Sequence, residues 1–485
     1  MTALQTIRLS LDPAEISALL QNPLLASLPK RRRIHLTHFD TPDKELDDLA
    51  LSIEETRILR KTTLTVSQTN GDKHVWSAPT TPGTFDFATL IDTPEIAEQL
   101  TQLADALLPI YKIETSQRLW MVQIRSAQIE VILEEGQIST GDGASQRTHR
   151  FCEIELRLHQ GQSAALYGVA RLLSRLLRLH PISDSLRQRA RAFSAGEVAR
   201  PIKARRVKVD AKDSVISVFK QLAWICLNQL QANEGGVFAP NNVEFIHQAR
   251  VSLRRLRTAL KLFGSELPPE FADKWGLAWR DVGEQLGNAR NWDVFCTEIL
   301  PDIEADLGNV PDVSGLKEFA QVQRDKAHAQ TQAWMRGRRY SLTMIAFYEA
   351  LLALPDRKAE RISDFADKAL KKRHKRFCRG AKLAHTLTGE ERHEVRIDLK
   401  KLRYTIDFFE SLYPQKQLQP FLAGLAETQE LLGHMNDLVT CETLLALRPG
   451  APLDLPVAWT KGRMSAYLET LPAALKPVLD AKTPW

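Results

Sequence analysis

The chain has 485 residues, with 65 lysines and arginines against 59 aspartates and glutamates, for a formal charge of +6. That length argues against a single domain and for two or three, each with its own core, and so small an excess of positive charge does not mark a nucleic-acid binder. Cys152, Cys226, Cys296, Cys378 and Cys441 stand apart, without the spacing of a zinc site or a disulfide framework.

From Gln5 to Arg178 short alternating segments predict strands at Ile7–Leu11, Ile34–Phe39, Leu64–Gln68, Leu119–Ile124, Gln128–Leu133 and Phe151–Leu158. Asn70-Gly71 and Gly141-Asp142-Gly143 read as hairpin turns, and helices are expected after Asp12-Pro13, after Thr93-Pro94 and near Ser163. This first domain, residues 1–180, is expected to be an antiparallel sheet or β-barrel with a few helices. Residues 181–209, with the basic, weakly apolar run around Pro201, read as a linker. Residues 210–480 read as an all-α bundle of roughly eight to ten helices, broken at Pro268-Pro269, Pro301, Pro311, Pro355, Gly389 and Pro414. The expected fold class is therefore multi-domain α+β. The first residues have no charged, then apolar, leader pattern, and no apolar run has the length of a membrane span, so a cytoplasmic protein is expected.

Two stretches of the helical part repeat each other. In Phe245–Phe263, His247, Arg250, Arg254 and Arg257 fall within ~80° of one another on a helix, beside an apolar stripe of Ile246, Leu253, Leu256, Leu260 and Phe263. In Arg392–Phe409, His393, Arg396, Lys400 and Arg403 repeat the row, beside Val395, Leu399, Leu402, Ile406 and Phe409. Behind each comes a segment carrying Leu-Gly and ending on Asp, Leu286–Asp293 and Leu431–Asp437, read as a turn. The expectation is an internal duplication whose two halves bring their cationic rows together. Asn291, Asp293, Asn436 and Asp437 are expected to fix the cationic side chains, and Arg290 to join the lining. Arg255 and Lys401 point ~160° away from Arg257 and Arg403 and are expected to be outer basic residues. Arg373 and Arg376, in the basic run Lys371–Arg379, are secondary candidates for the same patch.

Several motifs carry family resemblances. His38–Asp43 (HFDTPD), Ile129–Gly136 (IEVILEEG) and Cys152–Gly161 (CEIELRLHQG) resemble the CYTH or triphosphate tunnel metalloenzyme family, which implies a closed antiparallel barrel holding a divalent metal and triphosphate. The first-strand Glu-x-Glu-x-Lys of active members is replaced by Leu4, Thr6 and Arg8, and the positions of the paired arginines fall on Ser52, Glu54 and Glu55. A degenerate site is expected, with Glu130, Glu153 and Glu155 as the remaining metal candidates and Mg²⁺ or Mn²⁺ needed only if the domain is active. Leu230–Gly236 (LQANEGG), His247–Arg257, Leu286–Phe295, His393–Tyr404 and Leu431–Asp437 resemble the CHAD family, over about 270 residues. That resemblance implies binding of inorganic polyphosphate without catalysis, and the pairing with a tunnel domain is a bacterial arrangement.

The residue chemistry agrees with it. A linear polyphosphate has no base to read and needs only cations about one helical turn apart, ~5 Å, with arginine adding bidentate geometry. The expected ligands are His247, Arg250, Arg254, Arg257, Arg290, His393, Arg396, Lys400, Arg403 and Tyr404, with polyphosphate as partner and a granule association open. A structural hydrogen bond is the competing reading for each histidine. Two other functions compete: a metal-dependent inorganic triphosphatase with an accessory helical domain, and a nucleic-acid-binding protein, against which the rows offer no aromatic beyond Tyr404.

Overall fold

In the computed structural model, which describes residues 5–68, 74–238, 242–308, 310–355, 361–450 and 453–485, the alternating N-terminal segments pair into one antiparallel sheet. Its strands are β1 (Thr6–Ser10), β2 (Lys30–Asp40), β3 (Leu51–Ile58), β4 (Lys61–Gln68), β5 (Val75–Thr80), β6 (Leu108–Ile124), β7 (Ala127–Thr140), β8 (Arg147–Gln160) and β9 (His180–Ile182). The period-2 pattern is clearest in β6, where Tyr111, Ile113, Thr115 and Gln117 are buried and the residues between them exposed. Gly141 and Gly143, both at positive φ, make the β7–β8 connection as expected. Leu4 and the Asn70-Gly71 turn lie outside the described residues.

The spatial order is β5-β4-β3-β2-β6-β7-β8-β1-β9. The expected barrel is therefore corrected to an open sheet, because closure would require β5 to pair with β9. Each edge strand carries a proline, Pro79 in β5 and Pro181 in β9, and a proline offers no N–H to a further strand.

The described residues divide into two units, residues 1–198 with Ser341–Leu352, and Ala199–Tyr340 with Ala353–Trp485. The first contains the sheet, the short helices α1 (Ile16–Leu20), α2 (Glu45–Asp48) and α3 (Phe87–Leu90), and the longer α4 (Pro94–Leu103), α5 (Ala164–Leu173) and α6 (Leu186–Ala195). Helix α6 and strand β9 lie in the stretch that reads as linker. Ser185 and Gln188 form a capping box that starts α6 despite its weakly apolar sequence.

The second unit contains α7 (Val215–Val237), α8 (Glu244–Leu262), α9 (Phe271–Val294), α10 (Leu300–Leu307) and α11 (Leu316–Met335), then α13 (Ile362–Ala381), α14 (Gly389–Phe409), α15 (Gln415–Leu445) and α16 (Asp454–Asp480). Helix α12 (Arg338–Leu352) has Arg338–Tyr340 in this unit and its remainder in the first. Pro301 does not break the chain: a π-helical turn, Phe295–Ile299, joins α9 to α10, and the proline sits in the first turn of α10, where its missing N–H is tolerated. No helix among the described residues is long and apolar enough to cross a membrane.

Helices α8 and α14 carry the two amphipathic stretches, and both apolar stripes are buried throughout. Phe263 and Phe409, at corresponding ends of the stripes, meet with ring centroids 6.2 Å apart, and Phe365 stacks on Phe263 at 4.9 Å. The LQANEGG segment is structural. Asn233, wholly buried, accepts from Ile202 N and donates to Ile202 O, tying the incoming chain to α7. Gly236 admits the ring of Phe245, since a Cβ there would lie 2.0 Å from it. Gly236→Ala is thus expected to push Phe245 of α8 outward and destabilise the helical unit by on the order of 1–3 kcal/mol, as overpacking does; unchanged thermal unfolding would contradict this packing.

Candidate functional site

Helix α8 packs on α9, α14 on α15, α8 on α14 and α9 on α15, so these four helices share a centre. Burying the apolar seam between α8 and α14 turns the cationic rows inward beside it. Arg250 and Arg254 come from α8, Arg290 from α9, and Arg396 and Lys400 from α14, all half-buried. Among the described residues, Arg250, Arg254, Arg396 and Lys400 have no carboxylate within ion-pair distance. Arg250 Nη1 donates only to a backbone oxygen, Gly283 O at 3.2 Å, and the Nε atoms of Arg254 and Arg396 are buried without an acceptor.

These groups feel one another. Burial first, then the Arg254 and Arg396 charges, push the Lys400 amine down to about 6, against the opposing pull of Asp437 on α15. Burial and the neighbouring Arg254, Arg290 and Arg396 bring Arg250 down to about 10, and burial with Asp437 opposing lowers Arg396. Burial, Arg290, Arg254 and Arg250 hold His247 down to about 4, with Glu244 opposing, so its ring is neutral near pH 7. Arg250 and Arg254 of α8 and Arg396 and Lys400 of α14 therefore lie close enough to act on one another.

The motifs read as Leu-Gly turns are not turns. They lie inside α9 and α15, with no helix between α8 and α9. Gly287 serves the site instead, because a Cβ there would come within 2.6 Å of Arg250 Nη1. Glycine at this point of a helix sacrifices helix propensity to let a guanidinium lie against the backbone.

Other candidates fall elsewhere. Arg257 faces Arg280 and Glu284 of α9, and burial lowers it. Arg403 lies near Asp407, and Tyr404 near Arg396. His393 is exposed, its Nδ1 2.8 Å from Asn436 Oδ1, which is the structural hydrogen bond. Arg290 also pairs with Glu298 at 3.2 Å. Asp293 does not serve the rows: wholly buried, it binds Arg324 Nε at 2.7 Å and His328 Nε2 at 2.8 Å. Arg255 is corrected from an outer residue to a buried one, 2% exposed and over the Phe408 ring at 5.6 Å, because α7 covers that side of α8. Arg376 and Lys401 converge on Asp398 at 2.6 and 3.6 Å, with Arg373 nearby, and not on the row of Arg396 and Lys400.

In the sheet, Glu134 on β7 stands directly opposite Glu153 on β8, and Glu155 opposite Arg8 on β1. Like charges so placed repel, and Arg8 answers them, with Nη1 donating to Glu134 (3.2 Å) and Glu153 (3.3 Å) and Nη2 to Glu155 (2.5 Å). Arg189 of α6 pairs with Glu153, Arg157 with Glu155 at 2.5 Å, and Arg187 of α6 with Glu54 at 2.6 Å. Glu130 lies apart, 3.6 Å from Arg157. Carboxylates already bound by guanidinium groups do not fit a divalent ion, whose oxygen ligands must be free to coordinate, and these glutamates are assigned no metal-dependent step. The HFDTPD segment is the end of β2 and the turn after it: Asp40 Oδ1 accepts from Thr41 N and Leu46 N, and Thr41 Oγ1 from Glu45 N, which starts α2.

Residues 221–446, most of them within the helical unit, match the model of the CHAD domain. The crystal structure of the CHAD domain from the plant Ricinus communis is 28% identical, with a TM-score of 0.52, over 59% of this chain and 99% of that one. The N-terminal unit has a weak similarity to CYTH-like tunnel proteins. An adenylate cyclase candidate from Bacillus halodurans is 14% identical with a TM-score of 0.25, over 38% of this chain and 95% of that one. HpAC1 from Hippeastrum, an adenylyl cyclase candidate with a dominant triphosphatase activity, has the same identity and score, over 40% and 96%.

Removing the arginine at the centre of the sheet's carboxylates should expose their repulsion. Arg8→Ala is expected to destabilise the N-terminal unit by on the order of 3 kcal/mol, as breaking a buried ion pair does; thermal unfolding indistinguishable from that of the parent chain would refute this role.

Proposed function

We propose that the helical unit binds inorganic polyphosphate, without turning it over, in the cationic pocket formed by α8, α9, α14 and α15. The observation that carries this reading is the convergence of Arg250, Arg254, Arg396 and Lys400, half-buried and free of ion pairs among the described residues. Unpaired buried charge is destabilising unless something answers it. A linear polyanion would answer all of these groups at once, and the association of the CHAD domain with polyphosphate favours that ligand. The two rows act as related halves of one anion track, with Arg290 and neutral His247 at its side and Asp437 keeping Lys400 and Arg396 oriented. Base stacking has only Tyr404 to work with beside Arg396, which favours phosphate over nucleic acid. The N-terminal sheet, with its carboxylates bound by arginine, serves as a scaffold.

Replacing Arg250, Arg254, Arg396 and Lys400 together by Ala is expected to weaken binding of defined-length polyphosphate to the full chain by orders of magnitude and to flatten its salt dependence, since fewer counterions are released. Far-ultraviolet circular dichroism should stay unchanged. Binding as tight as that of the parent chain would sink the assignment.

Lys400 also sets a pH dependence. Its amine is neutral above about pH 6 in the empty pocket, and a bound polyanion raises it toward the ordinary lysine value of ~10.4. Binding therefore takes up a proton in that window, and affinity falls as pH rises through it. Calorimetry at pH 8 in two buffers of different ionisation enthalpy should report uptake approaching one proton, absent in Lys400→Gln; release, or no exchange, would contradict the pocket.

A further inference from the structure

A second basic cleft, of about 390 Å³, lies where the end of α8 meets α13. Its cationic lining is Lys261 from α8 and Lys368, Lys372, Arg373 and Arg376 from α13, and Glu266 is the one carboxylate among the residues that line it. On α14 the neighbouring Asp398 and Lys401 stand ~140–200° around the helix from Arg396, so this cleft is distinct from the pocket of the proposed function.

Three features define what it fits. Lys368, Lys372 and Arg376 follow one another at i, i+4 and i+8, a row with one cation per helical turn, ~6 Å apart. Beside that row, Arg373 is half-buried, and its Nε is fully buried without an acceptor. Asp398 draws Arg376 and Lys401, which leaves Lys372 and Arg373 with no carboxylate within ion-pair distance among the described residues, while Lys368 has interactions of its own. The volume equals roughly a dozen waters at ~30 Å³ each, enough for several phosphoryl groups. Evenly repeating cations beside a guanidinium lacking an acceptor suit a linear anion of evenly repeating charge better than a peptide, whose carboxylates are spaced by sequence.

We propose that the cleft formed by Lys261, Lys372, Arg373 and Arg376 is a second oligophosphate-binding site. The choice of ligand rests on the proposed function; the site itself does not. Titration of the full chain with tripolyphosphate in a calorimeter separates the two. The parent chain is expected to bind two equivalents, a Lys372→Ala/Arg373→Ala variant one, and an Arg254→Ala/Lys400→Ala variant the other. Two equivalents retained by Lys372→Ala/Arg373→Ala would overturn the second site and leave the first standing. Two retained by Arg254→Ala/Lys400→Ala would overturn the first and leave the second. Displacement of tripolyphosphate from Arg254→Ala/Lys400→Ala by poly-glutamate at equal charge would overturn the oligophosphate assignment of the cleft. Thermal unfolding of both variants within a few degrees of the parent keeps loss of fold from imitating loss of a site.

Discussion

Positive charge held half out of water without a carboxylate to answer it is the constraint around which the helical unit is arranged. An unpaired lysine or arginine in such a place loses solvation and gains nothing in return, and the depressed amine of Lys400 records that loss. Nothing about an isolated helix forces this. Helices α8 and α14 would keep their cations in water if their apolar stripes did not have to be buried. Because Leu253, Leu256, Leu399 and Leu402 are buried, and because Phe263 and Phe409 meet at one end, the rows next to those stripes are carried into the same space. The hydrophobic gain holds the charges together, and the cationic cluster is a by-product of the seam.

The sheet of the first unit meets the opposite problem and solves it internally. Its carboxylates, Glu134, Glu153 and Glu155, stand on neighbouring strands where mutual repulsion is strongest, and arginines from β1, β8 and α6 close on them. One arrangement leaves its cations without a carboxylate in ion-pair reach among the described residues; the other consumes its charges in ion pairs. What differs between the two units is whether the opposing charge is supplied by the chain.

Much of this was legible in advance because it depends on period. A stripe that repeats every three or four residues can be buried only as a helix face, so the ends of α8 and α14, their buried leucines and their cationic rows follow from spacing. Strands β3, β5 and β9 were not legible. Glu54 and Glu55 break the apolar alternation of β3, and β9 is three residues that pair because β1 lies beside them. Gly287 and Gly433 looked like turn residues because glycine is a poor helix former, and only the guanidinium of Arg250 lying against Gly287 explains its place inside α9. Arg255 looked like an outer cation because the wheel positions of one helix do not say that α7 covers that side.

By itself, then, the amino-acid order determined the segment types, the buried stripes and the residues that could present charge, since those follow from local period and side-chain chemistry. Which cations face one another, which also pair with Asp398 or Glu298, which carboxylates Arg8 binds, and that the sheet stays open between two proline-bearing edges were decided by tertiary structure. Each of these depends on residues far apart in the chain, and no local pattern specifies how distant elements are brought into register.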